Sequence, residues 1–381
     1  MNRYHHLRRA GALLLVAFLS IPALQQRAVG TEEPEGTHTW NVANNGVDSQ
    51  MCGHRANPCR SISQAISNAS AGDLVLVGPG RYGDLNGNGV LGEPGEETGT
   101  RASCFCIINV NKSLRFASRA GAAATVLDNG GSEVAVVRIT ASNVVFGVPF
   151  NGFTVTGATL QGGVRIEADK DVSVMGNIAQ SNVGAYGFEV IRGTNHRLIG
   201  NVSSSNGHGF GVFADHTLLR SNIAFNNQSS GFWIDGRANR LEANRAISNL
   251  NGFLVQGPDH LLRRNSALGN RLSGIAIGGD SQFGGPTSGI RIEHTNIYGN
   301  NRLFNSGFPN CGVQNNSGTL VMAQNNFWGA ATGPGADPAD MACDLAAASK
   351  TVVEPFATKE IKLPEFADFD GQPGGPPGSE E

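Results

Sequence analysis

One short pattern of hydrophobic and polar positions returns between residues 163 and 277: a glycine, an apolar residue, any residue, and a second apolar residue. Its six copies begin at Gly163, Gly187, Gly209, Gly231, Gly252 and Gly274. Successive copies lie 24, 22, 22, 21 and 22 residues apart. A fixed period of this length is typical of a solenoid, in which each repeat forms one coil.

The first apolar position is phenylalanine in four consecutive copies, namely Phe188, Phe210, Phe232 and Phe253. One coil is too small to bury its apolar face alone, so coils must stack. We expect the four rings to form one buried column, at a strand spacing of about 4.8 Å per coil.

Two columns of asparagine keep the same period. They are Asn177, Asn201, Asn222, Asn244 and Asn265, and, five residues later each time, Asn182, Asn206, Asn227, Asn249 and Asn270. Asparagine tolerates the left-handed backbone of tight turns, and stacked amides can bond from coil to coil. Each coil is therefore predicted to consist of short strands joined by tight turns. The pattern fits neither helical repeats, which need long stretches of 3.6-residue period, nor the leucine ladder of leucine-rich repeats.

A capping helix is predicted ahead of the coils, within residues 57–72. Apolar side chains share one helical face there, at Ile62, Ala65, Ile66 and Ala69. An uncapped coil would offer unpaired backbone groups at its edge, which explains why a solenoid needs such an element.

The two ends of the chain differ from the repeats. Residues 1–30 run from basic residues through an apolar stretch to small residues, the order of a secretory signal peptide. The apolar stretch is short for a membrane span, and no later segment is longer. Residues 365–381 lack apolar periodicity, which predicts a disordered tail. We therefore expect a secreted or periplasmic protein with one solenoid domain over residues 31–364.

Net charge limits the kinds of partner. The formal charge is -3, with only 15% charged residues, which gives no electrostatic case for nucleic acid or an anionic membrane. We expect a monomer whose partner is recognised by shape and local groups.

Six cysteines in an exported chain favour disulfides. We expect Cys311 to pair with Cys343, and two further bridges near the N-terminus. Cys104 and Cys106 stand two apart on a strand-like run and should point to one face, reaching Cys52 and Cys59 rather than each other. Free buried thiols are the alternative, and a zinc site is disfavoured because His54 is the one histidine near these four cysteines.

Residues 84–97 contain a candidate calcium loop. Asp84, Asn86 and Asn88 occupy positions one, three and five, and Gly89 occupies position six, as in the first half of an EF-hand loop, in which the backbone carbonyl of Val90 would be the next ligand. Position twelve is Gly95, and the acids Glu96 and Glu97 follow it. We expect a structural calcium ion, with a plain Asn/Gly turn as the alternative.

Two segments carry a resemblance to a known family. Residues 57–82 and 108–114 resemble the opening of the pectin-lyase-like, right-handed parallel β-helix repeat proteins. Asn325-Asn326-Phe327-Trp328-Gly329, followed by Gly333-Pro334, is similar to the phrase that often closes their solenoids. The resemblance implies an all-β fold, a right-handed parallel β-helix, over about residues 40–357. It does not specify an activity, because the group includes pectate lyases, polygalacturonases, alginate epimerases and lyases, and a copper-processing family.

In this family the outward face of the repeated strand commonly forms the polysaccharide cleft. Strand alternation places Arg165, Glu189, Phe213, Trp233, Asp235 and Arg291 on that face. Trp233 and Phe213 would stack on sugar rings, and Glu189 and Asp235 would bond hydroxyls. The alternative is that these are merely tolerated surface side chains, or lie under a loop.

A uronate lyase or epimerase needs a cation to neutralise the carboxylate and a base to remove the neighbouring proton. Arg192, Asp215, His216 and Asp235 follow the ends of neighbouring strands and form the candidate catalytic set. Against this, Asp215-His216 occupies a recurring turn slot, filled elsewhere by Asn195-His196, Asn239-Arg240 and Asp259-His260.

A hydrolase is disfavoured, although Gly207-His208-Gly209 matches a tripeptide of polygalacturonases. The glycine belongs to the coil pattern, and the required aspartate cluster is missing.

Copper handling is disfavoured because the chain has only five methionines and no cluster of soft ligands. The sequence thus predicts an exported polysaccharide-binding β-helix, acting as a lyase or epimerase, with a non-catalytic glycan-binding or structural module as the alternative.

Overall fold

The structure, a computed structural model, describes residues 37–97, 102–279, 281, 283–301 and 310–364. The predicted signal peptide (1–30) and tail (365–381) lie outside the described residues. The one helix of the described chain is α1 (Ile62–Asn68). Among the same residues no helix is long and apolar enough to cross a membrane.

The strands follow in chain order. They are β1 (Thr39–Val42), β2 (Leu74–Val77), β3 (Gly80–Gly83), β4 (Cys106–Val110), β5 (Arg115–Ser118), β6 (Thr125–Asp128), β7 (Ala135–Ile139), β8 (Val145–Phe146), β9 (Thr154–Thr156), β10 (Val164–Ile166), β11 (Ser173–Met175), β12 (Ile178–Gln180), β13 (Tyr186–Val190), β14 (Arg197–Ile199), β15 (Val202–Ser204), β16 (His208–Val212), β17 (Leu218–Arg220), β18 (Ile223–Phe225), β19 (Phe232–Ile234), β20 (Arg240–Glu242), β21 (Arg245–Ile247), β22 (Asn251–Val255), β23 (Leu261–Arg263), β24 (Ser266–Leu268), β25 (Ser273–Ile277), β26 (Ile290–Glu293), β27 (Asn296–Tyr298), β28 (Cys311–Asn315), β29 (Leu320–Met322), β30 (Met341–Asp344) and β31 (Lys350–Val352).

The strands form three parallel sheets that run the length of the solenoid. Sheet 1 has 12 strands (β1, β2, then every third strand from β5 to β29, and β31), sheet 2 has 10 (every third strand from β4 to β28, and β30), and sheet 3 has 9 (every third strand from β3 to β27). A regular coil contributes one strand to each sheet in the order 2, 1, 3. The expected right-handed parallel β-helix is confirmed.

The phenylalanine column lies inside sheet 2. Phe188, Phe210, Phe232 and Phe253 are in register on neighbouring strands and fully buried. Their rings stack at centroid distances of 5.0, 4.8 and 4.8 Å. The expected spacing is confirmed. Because side chains alternate along a strand, the residue that follows each of these phenylalanines points to the outside.

Both asparagine columns form continuous buried ladders. In the second ladder the Asn206 side-chain oxygen accepts the backbone N–H of Asn182 at 2.9 Å, and the Asn182 amide donates to the same oxygen at 3.0 Å. The bonds repeat from Asn206 to Asn227 and onward to Asn270 and Asn300. The ladder ends on the carboxylate of Asp340, which accepts from Asn300 at 2.7 Å. Each buried turn thereby satisfies backbone groups that would otherwise be unpaired.

A third, shorter ladder lies in the turn before the sheet 1 strands, where the register aligns His196 with Thr217, Asn239 and His260. The expected alignment of Asp215-His216 and Asn239-Arg240 with Asn195-His196 is therefore wrong by one residue. The Nδ1 atom of His196 accepts the N–H of Val172 at 3.2 Å, and its Nε2 atom faces the Arg192 carbonyl at 3.1 Å. His260 repeats this arrangement with the N–H of Asn239 at 3.1 Å. Asn239 fills the same slot one coil earlier, where its side-chain oxygen accepts the N–H of Thr217. These histidines are therefore structural and are held in the neutral Nε2–H form.

The capping helix is shorter than the predicted 57–72 segment. It begins after Ser61, whose hydroxyl accepts the N–H of Gln64 at 3.1 Å, and ends at Asn68. The Glu97 carboxylate accepts the N–H groups of Ile62 and Ser63 at its start. Lys112 donates to the carbonyl groups of Ile66, Ser67 and Ala69 at its end. Lys112 has the sign that stabilises the helix dipole, and Glu97 has it in its ionised form, while burial raises the pKa of this carboxyl to about 7.

The Cys311–Cys343 bridge is confirmed, whereas the expected N-terminal pairing is wrong. The structure joins Cys52 to Cys59 and Cys104 to Cys106, and leaves no free cysteine. Cys104 precedes β4 instead of lying on it, and Phe105 between the two cysteines has a left-handed φ of 55°. That turn brings the two thiols together, which an extended strand would not allow.

Two buried histidines make the stability of the coils depend on pH. Burial lowers the pKa of His196 and of His260 below the ordinary value of 6.5. The folded state therefore binds fewer protons, so their contribution is fully present above pH 6.5 and is lost as the pH falls through their folded pKa values.

The double variant His196→Asn/His260→Asn introduces the residue that stands at position 239 of the same ladder. We expect its free energy of unfolding to decrease less than that of the wild type as the pH falls. Denaturant unfolding at several pH values measures this. His216→Asn, at an exposed histidine, is the matched control and should retain the wild-type pH dependence. An unchanged slope in the double variant would contradict the assignment.

Candidate functional site

The outward face of sheet 2 gathers its functional side chains in three columns. In β13, β16 and β19 the residue after the buried phenylalanine points outward, and in β13 and β16 the side chain two residues before it, Tyr186 or His208, also reaches the outer face. The strand register aligns Tyr186 with His208, and aligns Glu189 with Gly211 and Trp233. The third column, just beyond the strand ends, holds Phe213 and Asp235.

These columns enclose a cavity of about 420 Å³. Four aromatic side chains line it, namely Tyr186, Phe213, Trp233 and Phe283. The polar lining consists of Glu189, Asp235 and Gln256. A mainly apolar cavity with a few converging polar groups has the make-up of a ligand site.

Aromatic contacts give the cavity its shape. The Trp233 ring lies 5.5 Å from Phe213, 6.3 Å from Tyr186 and 5.4 Å from His208, between ring centroids. Tyr186 and His208 are stacked at 4.7 Å. Gly211 makes this arrangement possible, because a Cβ atom there would come within 2.6 Å of the Tyr186 ring.

Hydrogen bonds fix the polar groups. Trp233 Nε1 donates to Gln256 Oε1 at 3.0 Å. Asp235 is 2% exposed, and its carboxylate accepts a hydrogen bond from the hydroxyl of Ser281. Burial raises the pKa of Glu189, and the guanidinium of Arg165 at 2.6 Å opposes that rise. The cavity therefore presents preoriented acceptors beside aromatic faces.

Arg165 joins this cavity to a second one. It bonds Glu189 and Glu167, both at 2.6 Å, and Glu167 also pairs with Arg138. Arg138, Arg165 and Glu167 line the neighbouring cavity of about 340 Å³, beside Cys104. The face of sheet 2 thus changes from aromatic to charged along the axis of the solenoid.

The structure brings together four predicted residues, Glu189, Phe213, Trp233 and Asp235, with Arg165 at the edge. The placement of Arg291 on this face is wrong, because β26 pairs with β23 in sheet 1. Its Gly-Ile-Arg-Ile phrase imitates the repeat, but the strand that follows β25 in sheet 2 is β28. An insertion after β25 shifts the phase of the pattern.

Three residues of the predicted catalytic set lie outside the cavity lining. Arg192 donates to the Glu167 carbonyl at 2.7 Å, and the Asp215 carboxylate accepts the N–H of Arg237 at 2.8 Å. His216 is exposed and takes the left-handed position of its turn, with a φ of 49°. Asp235 alone of the four lines the cavity. Their catalytic role stays a prediction.

Sequence reasoning missed Tyr186, His208 and Phe283, whereas alternation along the strand already places Gln256 in the outward column of Phe213 and Asp235. Tyr186 and His208 share the slot before the repeated glycine, two residues ahead of the buried phenylalanine, so strict alternation would direct them inward and gave no signal of their outward position. His208 has a buried Nδ1 atom without a hydrogen-bond partner, and burial lowers its pKa. Phe283 comes from the insertion after β25, which no repeat position predicts.

The candidate calcium loop is closed by its own hydrogen bonds. The Asp84 carboxylate accepts the N–H groups of Gly87, Asn88 and Gly89 at 2.7, 3.1 and 2.8 Å. The amides of Asn86 and Asn88 both donate to Glu93 Oε2, at 2.8 and 3.0 Å. Glu97 instead holds the start of α1. Oxygen donors suited to calcium are gathered here, with Glu93 as the acid that meets the loop.

Comparison with known proteins supports the fold. Residues 135–283 match the family model of the right-handed β-helix region, which confirms the resemblance over these residues. No curated protein matches the chain.

Solved structures with a similar shape include three polysaccharide-modifying proteins. The A-module of a mannuronan C-5 epimerase from Azotobacter vinelandii is 17% identical, with 78% of this chain and 94% of that chain covered and a TM-score of 0.46. A rhamnogalacturonan lyase is 14% identical, with coverage of 85% and 89% and a TM-score of 0.49. Pectate lyase Pel9A is 14% identical, with coverage of 85% and 80% and a TM-score of 0.36.

Proposed function

From a right-handed parallel β-helix with an aromatic cavity on sheet 2, we propose that this protein binds a polysaccharide. The observation that carries the proposal is the convergence of Tyr186, Phe213, Trp233 and Phe283 with Asp235 and Gln256. Sugar rings offer apolar faces to aromatic side chains and hydroxyl groups to carboxylates and amides. Neither group alone would select such a ligand.

The geometry of the coils favours a chain over a single sugar. Strands of one sheet repeat at about 4.8 Å, so the cavity residues are distributed over successive coils along the axis. The charged cavity around Arg138 and Arg165 continues the same face. A polymer aligned with the axis of the solenoid would contact both cavities.

The setting proposed for this binding is outside the cytoplasm. Three disulfides form in the described chain, and such bonds persist in oxidising compartments. Together with the predicted signal peptide they support a secreted or periplasmic protein.

Trp233→Ala should weaken polysaccharide binding at least about tenfold, because it removes the ring that contacts three other aromatic side chains of the site. Affinity electrophoresis through gels containing polygalacturonate, alginate or dextran measures the loss. Phe225→Ala, at an exposed ring on sheet 3, is the matched control. The proposal fails if wild type and Trp233→Ala migrate alike in every gel.

Uronate lyase or epimerase chemistry is the second candidate, and His208 favours it. Abstraction of the proton beside a uronate carboxylate needs a base near the bound sugar. His208 stacks on Tyr186 and lies beside Trp233, next to the cavity. Its Nδ1 atom is buried, so Nε2 would be the atom that accepts the proton. Because burial lowers its pKa, the ring is in its base form at neutral pH.

If the protein is a lyase, His208→Gln should reduce product formation by at least about a hundredfold, the usual contribution of a general base. His216→Gln should retain activity if His208 is the base. It should lose activity if the base belongs to the candidate catalytic set that contains His216. Ultraviolet absorbance of unsaturated products and NMR of the treated polymer cover both reactions. Wild-type activity should persist below pH 6.5, since the base form persists to the lowered pKa.

We also propose that residues 84–97 bind a structural calcium ion. Asp84, Asn86, Asn88 and the Val90 carbonyl would hold it, with Glu93 as an additional carboxylate. The loop lies between β3 and β4, so an ion there would stabilise the first coil.

Calcium at 100 times its Kd should raise the free energy of unfolding by about 2.7 kcal/mol. Glu93→Gln removes one of the carboxylates and should reduce this increase, while remaining within about 1 kcal/mol of the wild type in chelator. Thermal unfolding with calcium and with EDTA measures both. Asp84→Ala is less informative, because it also removes three backbone contacts. Identical wild-type melting in the two buffers would exclude the ion.

A further inference from the structure

Sheet 1 carries a regular row of arginines that the proposed cleft does not use. In β14, β17, β20, β23 and β26 the residue facing the core is Leu198, Leu219, Leu241, Leu262 or Ile292, each fully buried. Each of these five consecutive strands also presents one outward arginine. They are Arg197, Arg220, Arg240, Arg263 and Arg291, which we name the arginine row.

The strand register shows how the row is arranged. Arg197, Arg240 and Arg291 belong to one outward column, separated by Leu218 and Leu261. Arg220 and Arg263 belong to the next column, on the coils between. The arginines therefore alternate between two columns and advance by one coil, about 4.8 Å, at each step.

The row is positive although the whole chain has a formal charge of -3. Its carboxylates are Glu242, which pairs with Arg220 at 2.6 Å and Arg240 at 3.1 Å, and Glu293, which pairs with Arg291. Five arginines and two glutamates leave a surplus of three positive charges on this face. Arg197 and Arg263 are exposed and make no ion pair within the described residues.

We propose that the arginine row is a second binding surface, for a linear acidic polysaccharide that lies along the solenoid axis. A guanidinium group binds carboxylate or sulfate through two parallel hydrogen bonds. The two unpaired arginines, Arg197 and Arg263, lie three coils apart, about 14 Å along the axis, and Arg220 and Arg240 between them add positive charge to the path of the polymer. The surface belongs to a different sheet from the aromatic cavity, so either site can exist without the other.

Other polyanions fit the row less well. None of the ten outward positions on these strand segments is aromatic, so there is no platform for stacking the bases of single-stranded nucleic acid. None of the exposed large hydrophobic side chains of the described residues lies on the row, so there is no wedge for insertion into a membrane. A flexible carbohydrate with anionic groups needs neither feature.

Binding should be measured in a Trp233→Ala background, which weakens the proposed cleft contribution. The test variant is Arg197→Gln/Arg263→Gln, at the two unpaired arginines, so that no carboxylate loses its partner. The control is Arg55→Gln/Arg119→Gln, which removes the same charge from exposed positions off the row. The probes are polygalacturonate, neutral dextran, single-stranded oligothymidine and phosphatidylglycerol vesicles.

At low ionic strength the test variant should bind polygalacturonate about tenfold more weakly, with a smaller salt dependence, and the control should change less than about twofold. Dextran should not bind. The proposal is overturned if both double variants weaken binding equally, if polygalacturonate does not bind in the Trp233→Ala background, or if the row binds oligothymidine or vesicles more tightly. If only the proposal of a cleft on sheet 2 is wrong, the Trp233→Ala variant will bind the polymer as tightly as the wild type does.

Discussion

The rest of the structure depends on the buried bond between asparagines of neighbouring coils. Each ladder amide accepts a backbone N–H from the preceding coil and donates to the next, as at Asn206 and Asn227. Unpaired backbone groups inside a turn would cost about 1–3 kcal/mol each. A turn without a side-chain acceptor would leave these groups unpaired, and where the asparagine is absent the Thr295 hydroxyl accepts the N–H of Asn265 instead. The ladder also stays aligned across the longer coil between Asn270 and Asn300. The ladders therefore fix the register of the coils, and extra residues are accommodated outside the ladder turns.

That register converts a one-dimensional repeat into two different surfaces. Inside sheet 2 it stacks phenylalanines, and outside the same strands it sets Trp233 beside Tyr186 and His208. Outside sheet 1 it spaces the arginines by one coil. The fold supplies only the spacing, and the side chains at outward positions decide whether a face is aromatic, charged or inert.

Much of this organisation could be predicted from sequence because it repeats. The period, the phenylalanine column, the cap, and the meeting of Glu189 and Trp233 follow from alternation and phase. What could not be predicted breaks the phase: the insertion after β25 moves Arg291 to sheet 1 and brings in Phe283. The Cys104–Cys106 bridge was missed because it depends on one left-handed residue, Phe105, that no pattern marks.

The most direct test of the central claim, that the outward face of sheet 2 binds a polysaccharide, is hydroxyl-radical footprinting with and without the polymer. Tyr186, Phe213, Trp233 and Phe283 should be protected together, because they line one cavity. Phe225, on sheet 3, should react equally in both samples. Protection elsewhere with none at Trp233, under conditions in which the polymer is bound, would contradict the account.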